Sequence, residues 1–494
     1  MKKRFLSFIS LILVLVMCVS CSTAQITDAD SENKQDSSIG EESFVQNGDA
    51  GQGDNNEGTP LTAPMLNGEE LSKYTIVYSS SPDYNKRAAQ YIQSAVEERT
   101  GLELEIVTDK AEKTDFEIVV GECKRDISEA LDANTQGVEF AIMADGTNIA
   151  MEGDYFVIAA AAYYFVETYI TGDLFSSQVP EEITVCEPIV KEAKNFIFLI
   201  GDGMGEYQTL LHQVCDKRNA RTISDGEDIF YGYMLPYIGR ARTNSLSGTT
   251  DSAASGTALA TGYKTKNGYV GKNSSLKDVT SLTELAASLG KATAVMSTEA
   301  STGATPASFS AHANSRDDST AILNSQAKLK ANNKTIIKCD FNTYTKDGIK
   351  GIENNVNSVL EQLSKDEDGF FIMYEEAHID KHSHNKDMNN TFLALSRFNQ
   401  VIGVFMEFAF YNPDTFLLIT ADHETGNLLP NGSGGFTYGS GSHSPQYVPV
   451  FAYGEGAEVF HSTVVENVQI PMTIAKMWGV NNFGDPNSAY KSLI

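Results

Sequence analysis

Five uninterrupted apolar runs set the tightest limit on how this chain can fold. They are "NFIFLI" (195–200), "ATAVMS" (292–297), "GFFIMY" (369–374), "TFLLIT" (415–420) and "VPVFAY" (448–453). Each is strand-length and lacks polar alternation, the pattern of a strand covered on both faces. Helical spacing recurs between several of them, at 281–290, 353–365 and 391–409. Strands alternating with helices predict an α/β fold, a doubly wound central sheet flanked by helices on both faces. In such sheets ligands bind beyond the carboxyl ends of the strands.

Chemistry-bearing residues gather at those ends. "NFIFLI" runs into Gly201-Asp202-Gly203, and "GFFIMY" into Glu375, with Asp380 and His384 shortly after. "TFLLIT" ends in Ala421-Asp422-His423, and His443 sits just ahead of the fifth run. Singly, each has an ordinary explanation. An Asp between glycines is usually a turn residue, and an i, i+4 pair such as Asp380 and His384 merely shares a helix face. Three such sets at one edge of one sheet are hard to assign to turns. Carboxylate with imidazole suits zinc and its neighbours, whereas all-oxygen sets suit magnesium.

A second stretch, "TTDSAASGTALATG" (249–262), is almost entirely Ser, Ala, Gly and Thr after one acid. It could serve as a linker, a tightly packed small-residue helix, or the seat of a nucleophile. A serine in the last role needs a metal or a base beside it, since its alkoxide is scarce near neutral pH.

At 494 residues the chain should hold two or three domains. Residues 1–21 combine a basic start (Lys2, Lys3, Arg4) with an apolar run from Phe5 to about Val19. That run is shorter than the ~20 residues of a membrane-spanning helix and predicts an export signal. It ends in "CVSC", which resembles a bacterial lipoprotein signal and implies lipid attachment at Cys21, hence a cell-surface, membrane-anchored protein. Residues 22–72 read as a disordered acidic tether, too polar to offset the entropy of ordering. Residues 73–190 read as a smaller accessory α/β domain, with strands "YTIVYS", "LELEIV", "FEIVVG" and "VEFAIM" and helices over 84–101 and 156–170. It resembles the domain preceding the catalytic barrel in some bacterial hexosaminidase-like enzymes. Residues 191–494 form the main domain. Cys123, Cys186, Cys215 and Cys339 have no metal-type spacing, and their pairing cannot be read from order alone. A net charge of −28 argues against a nucleic-acid partner, which requires a basic face.

Taken together, "IGDGMG", "TDSAASGTALATG", "STGATPASFSAHANSR", "IDKHSH", "TADHETGN" and "GSHSPQYVPV" occur in the order found in the alkaline phosphatase family. The resemblance covers essentially all of residues 191–494. It implies two zinc ions and one magnesium ion at the strand ends, and a Ser252 nucleophile that is transiently phosphorylated. By the same resemblance Asp380, His384 and His443 hold the first zinc. Asp202, Asp422 and His423 hold the second, beside Ser252, and Asp202 bridges to magnesium with Thr305 and Glu375. Arg316 corresponds to the arginine that grips phosphate, and Asp251 to the acid that orients it. Lys381 matches a lysine that reaches phosphate through water in some bacterial members; a solvated lysine is the other reading.

Three departures stand out. Gly303 falls where relatives carry Asp or His beside the third metal, which leaves the identity of that metal open. Glu376 replaces a small residue. His378 and His382 are extra histidines, expected behind the ligands or on the surface, while His312 is expected to be structural and His212 and His461 to be surface residues. Only 58 residues separate Arg316 from Glu375, and 19 separate His423 from His443. These short intervals imply an open site, with a homodimer among the assemblies the resemblance allows. The implied activity is hydrolysis of phosphate monoesters. The alternatives are a phosphodiesterase or sulfatase on the same fold, and a catalytically silent glycan-binding lipoprotein. A sulfatase would carry Cys/Ser-x-Pro-x-Arg at the nucleophile, which is absent around Ser252.

Overall fold

A computed structural model describes residues 61–131, 133–216, 219–223, 229–339, 348–432 and 434–494. The expected signal peptide, Cys21 and the tether up to residue 60 lie outside the described residues. The remainder of that tether does not behave as expected. Met65–Leu66 pairs antiparallel with Glu69–Glu70 and parallel with Ser176–Ser177. Leu66 and Leu71 are fully buried. Composition misread this stretch because two leucines among acids cannot make a core of their own. They complete one built by other elements.

The smaller sheet has six strands: β1 (Thr75–Tyr78), β2 (Glu105–Thr108), β3 (Glu117–Val120), β4 (Phe140–Asp145), β5 (Asn148–Gly153) and β6 (Thr184–Cys186). Their order is β2-β1-β3-β5-β4-β6, with β4 antiparallel to both neighbours. Helices α1 (Asp83–Thr100) and α2 (Ile158–Tyr169) pack on it. Helix α1 stops at Gly101, whose φ of 74° and N–H bond to the Glu97 carbonyl make a left-handed cap.

The larger sheet has eight: β7 (Asn195–Gly201), β8 (Tyr237–Arg242), β9 (Ala292–Ser297), β10 (Ile336–Cys339), β11 (Phe370–Glu376), β12 (Thr415–Thr420), β13 (Val448–Tyr453) and β14 (Val464–Glu466). They run in the order β10-β9-β11-β7-β12-β13-β8-β14. The five apolar runs are all strands, and β7, β11, β12 and β13 are buried along their whole length. Strands β10 to β12 of that order are parallel, but β13 runs antiparallel to both β12 and β8. Sequence pattern missed β8, β10 and β14. These lie toward the sheet's two edges, where half-exposed strands such as "YIGRAR" lack a continuous apolar run.

Period-two alternation puts helices on both faces. Phe309, on α5 (Ala304–Ser310), meets Phe198 and Phe371 edge-on and stacked, respectively. Tyr374 and Phe370 point the other way and pack against Phe398, Phe405 and Phe408 of α7 (Met388–Tyr411). Helix α7 also joins the two sheets. Tyr411 packs on Tyr91 with ring centroids 4.7 Å apart, Phe410 stacks on Phe156, and Glu407 accepts a two-pronged bond from Arg87. One hydrophobic core accordingly runs through both sheets. The histidine expected at the surface, His212, is buried in it, stacked on Phe392 with 19° between ring planes. Its helix carries that face inward, a placement that an isolated histidine gives no hint of.

Candidate active site

Register aligns the ends of the central strands. Ser297 of β9 pairs with Glu375 of β11, and Ile200 of β7 pairs with both Glu375 and Thr420 of β12. Asp202, Glu375 and Asp422-His423 therefore leave the sheet side by side. Next to them, α6 (His378–His384) carries Asp380 and His384 one turn apart. The turn after β7 fits only a residue without a side chain. Gly203 has a φ of 74°, and a Cβ there would lie 2.8 Å from the Asp380 Cα.

The first donor group is Asp380, His384 and His443, whose ligand atoms all lie within 4.8 Å of one another. His384 Nδ1 is 2.8 Å from the Gly441 carbonyl, and His443 Nδ1 is 2.7 Å from the Thr250 carbonyl. A carbonyl only accepts, so both neutral rings carry their proton on Nδ1. Their Nε2 lone pairs then face each other across 3.2 Å. Two acceptors at that distance repel unless a cation or a proton sits between them. Donor chemistry and tautomers thus fit a zinc-type ion.

The second group is Asp202, Asp422 and His423, all buried. Asp422 Oδ1 accepts from the backbone N–H groups of Gly203 (3.1 Å) and His423 (2.9 Å). Asp202 Oδ1 and Asp422 Oδ2 are left without hydrogen-bond partners. Burial, reinforced by the charge of Asp380, pushes the Asp422 carboxyl up to about 7. Burial and the charge of Asp422 drive Asp202 up as well, and burial with the neighbouring His443 and His384 holds His423 far below the usual imidazole range. Such a set is carboxylates crowded together without their counter-charge, and a divalent cation supplies it.

A third, all-oxygen group lies alongside. Glu375 is fully buried and takes the Ser297 hydroxyl on Oε2, while its Oε1 and the Thr305 hydroxyl are unpartnered. Oxygen donors of this kind fit a hard cation such as magnesium.

The nucleophile candidate stands among these groups. Helix α3 (Ser252–Thr261) begins at Ser252, with Asp251 capping it by accepting from the Ala254 N–H. The Ser252 hydroxyl lies 3.2 Å from His423 Nε2. Asp251 spends its other oxygen on the Gly268 N–H (2.9 Å) and on Arg316 Nη1 (3.2 Å). One residue therefore both starts the helix of the hydroxyl and holds the guanidinium. Lys381 donates to Glu299 at 2.5 Å. Ser255 bonds the Asp422 carbonyl and accepts from Asn467, so it packs the site from behind. His312 bridges the Gly271 carbonyl and Glu284, in keeping with a structural role. His378 is buried on Thr298 and Glu376, and His461 is exposed. Cys123, Cys186 and Cys339 are free thiols.

Sequence reading missed Glu299, Thr425 and Glu424. Thr425 donates its hydroxyl to Asp380 (2.5 Å) and faces His423 Nδ1 at 3.2 Å, tying the first two groups together. Its place in "ADHET" is the one clue the sequence offers. Glu424 is fully buried and accepts from Gln208, Ser444 and two backbone N–H groups, which fixes the loop. Thr425→Val keeps the shape but loses the tie. It is expected to lower cation affinity or turnover about 10- to 100-fold, measured by metal content after dialysis and by initial rates.

Comparison with known proteins agrees with this geometry. The alkaline phosphatase family model matches residues 193–347 and 349–439. Alkaline phosphatase 3 of Bacillus subtilis is 25% identical over 346 residues, 58% of this chain and 75% of that protein. Alkaline phosphatase 4 of the same organism is 28% identical over 299 residues, 49% of this chain and 64% of its own length. The solved alkaline phosphatase of the Antarctic bacterium TAB5 superposes with a TM-score of 0.51 at 28% identity, covering 59% of this chain and all of the other. A variant of that enzyme was solved with Mg bound in its M3 site. Among the described residues no helix is long and apolar enough to cross a membrane. The strand-end donor groups, the helix-capped serine and these matches make residues 193–439 an alkaline phosphatase family domain, and the chain a member of the alkaline phosphatase superfamily.

Proposed function

We propose that the chain hydrolyses phosphate monoesters through a phosphoserine on Ser252. One observation carries the reading. The Ser252 hydroxyl lies 3.2 Å from His423 of the second cation group, whose ring stacks on His443 of the first, and Arg316 is held by the same Asp251 that caps the hydroxyl's helix.

Asp380, His384 and His443 would hold one zinc ion, Asp202, Asp422 and His423 the other, and Asp202, Thr305 and Glu375 a magnesium ion. When bound, these ions supply Lewis-acid stabilisation of oxyanions. The rest falls to the protein. The Arg316 guanidinium offers a two-pronged fork to two phosphoryl oxygens, a geometry ammonium cannot copy. Asp251 aims that fork and leaves the first turn of α3 directed at the developing negative charge. Ser252 Oγ attacks phosphorus in line as the ester oxygen departs with its bonding pair, giving phosphoserine and an alcohol. Water then displaces Ser252 from phosphorus. Two in-line displacements give net retention. None of the residues placed at the site comes from 61–187, and we read that region as a scaffold that braces α7.

The runners-up on the same fold are a phosphodiesterase and a sulfatase. Paired assays on a monoester and a diester separate them. A monoester carries two negative charges for Arg316 and the cation groups to meet, and a diester only one.

A further inference from the structure

Glycine at 303 is not required by its backbone, whose φ of −54° suits any residue. Space requires it. A Cβ there would lie 1.8 Å from Glu299 Oε1 and 2.3 Å from Glu299 Cδ, so the carboxylate already occupies the room that a side chain at 303 would take. Glu299 is also fastened to the all-oxygen group. Its N–H donates to the Ser297 hydroxyl at 3.0 Å, and that hydroxyl donates to Glu375. Its Oε2 accepts from Lys381 at 2.5 Å, on the helix that carries Asp380. Beside it, Glu375 Oε1 and Thr305 Oγ1 sit on fully buried side chains with no hydrogen-bond partner. Glu299 is thus tied through the Ser297 hydroxyl to Glu375 and through Lys381 to the helix of Asp380.

We propose that Glu299 supplies the carboxylate of the third cation site that a glycine at 303 cannot. Asp202, Glu375, Thr305 and Glu299 then form an all-oxygen site that selects magnesium over zinc. An extra carboxylate raises affinity for a hard cation, and the absence of imidazole or thiolate gives zinc no advantage. Lys381 balances the added charge. This inference rests on the metal-centre reading above, but its test reads cation binding rather than hydrolysis, so the two can fail separately.

The experiment uses the full chain, stripped with chelator, reloaded with zinc and titrated with magnesium by calorimetry, with metal content measured in parallel. Retained zinc reports that the first two groups are intact. Glu299→Gln is expected to weaken magnesium binding at least about tenfold with zinc content unchanged. Lys381→Met is expected to leave magnesium affinity unchanged or tighter. The double variant Glu299→Ala/Gly303→Asp, which returns a carboxylate from the other side of the same space, is expected to bind magnesium more tightly than Glu299→Ala alone. Magnesium affinity in Glu299→Gln within about twofold of wild type would overturn the proposal. So would an equal loss in Lys381→Met, or no recovery in the double variant.

Discussion

Ser252→Ala is expected to lower monoester turnover by at least about three orders of magnitude while leaving metal content and melting temperature near wild type. The substitution removes one oxygen from a buried residue at the first position of α3. The helix keeps its cap, because Asp251 rather than Ser252 accepts the Ala254 N–H. The cation ligands keep their partners as well, since Thr425 and the backbone orient them. What disappears is the atom proposed to bond to phosphorus. Acid-quenched incubation with a labelled monoester should trap phosphoserine in wild type and none in the variant. Ser255→Ala is the matched control. It loses a bond to the Asp422 carbonyl from the same helix and should keep most of its turnover. A Ser252→Ala protein within tenfold of wild type would remove Ser252 from the chemistry.

The second large effect is on stability. Stripped of cations, the protein should lose stability as pH rises from about 5 to about 7, between the ordinary carboxylate range and the raised value of Asp422, and added zinc and magnesium should abolish that slope. Asp422, Asp202 and Glu375 all have carboxyl pKa values raised first by burial and then by neighbouring carboxylate charge, Asp422 to about 7 with Asp380 beside it. In the unfolded chain these groups ionise near the ordinary carboxylate value of about 4. Above that value the folded form holds protons that the unfolded form does not, so stability falls with rising pH until the folded groups ionise. His423 has the opposite sign. Its pKa is depressed, and the cost of keeping it neutral is felt below about 6.5, where this one group offsets part of the slope of three acids. The acids therefore set the slope. A drop of about 2 to 4 °C in the melting temperature of chelated protein between about pH 5 and 7 is the expected size. Cations should raise the melting temperature most at the alkaline end, where the carboxylates are otherwise charged and unpaired. A flat or rising profile in the stripped protein would mean that these acids have found other partners.

Both effects trace to features legible in the sequence to different degrees. The buried strands were readable because a strand covered on both faces has no polar alternation, and "NFIFLI" and "TFLLIT" admit no other element of that length. The edge strands were not, because "YIGRAR" and "IIKC" are half-exposed and too short for a periodic signal. Asp202, Asp380, His384, Asp422, His423 and His443 were legible as a group, since strand ends and helical spacing brought them to one edge before any geometry was known. The structure brings their donor atoms together as Asp380, His384 and His443 and as Asp202, Asp422 and His423, a sorting that spacing alone does not give. Glu299 and Thr425 were not, and for one physical reason. A side chain that works by filling the space beside a glycine, or by bridging two ligands, leaves no mark in local spacing. His212 failed likewise. Its burial depends on Phe392, which lies far along the chain.

The central claim is that these residues act on phosphate monoesters, and one paired assay addresses it most directly. Purified chain loaded with zinc and magnesium is given p-nitrophenyl phosphate and bis-p-nitrophenyl phosphate at alkaline pH, with and without chelator. The account predicts chelator-sensitive release of nitrophenol from the monoester, at least about a hundredfold faster than from the diester, because the charge of a second phosphoryl oxygen is what the Arg316 fork and the cation groups are arranged to meet. Faster hydrolysis of the diester, or monoester hydrolysis that survives complete removal of the cations, would contradict it.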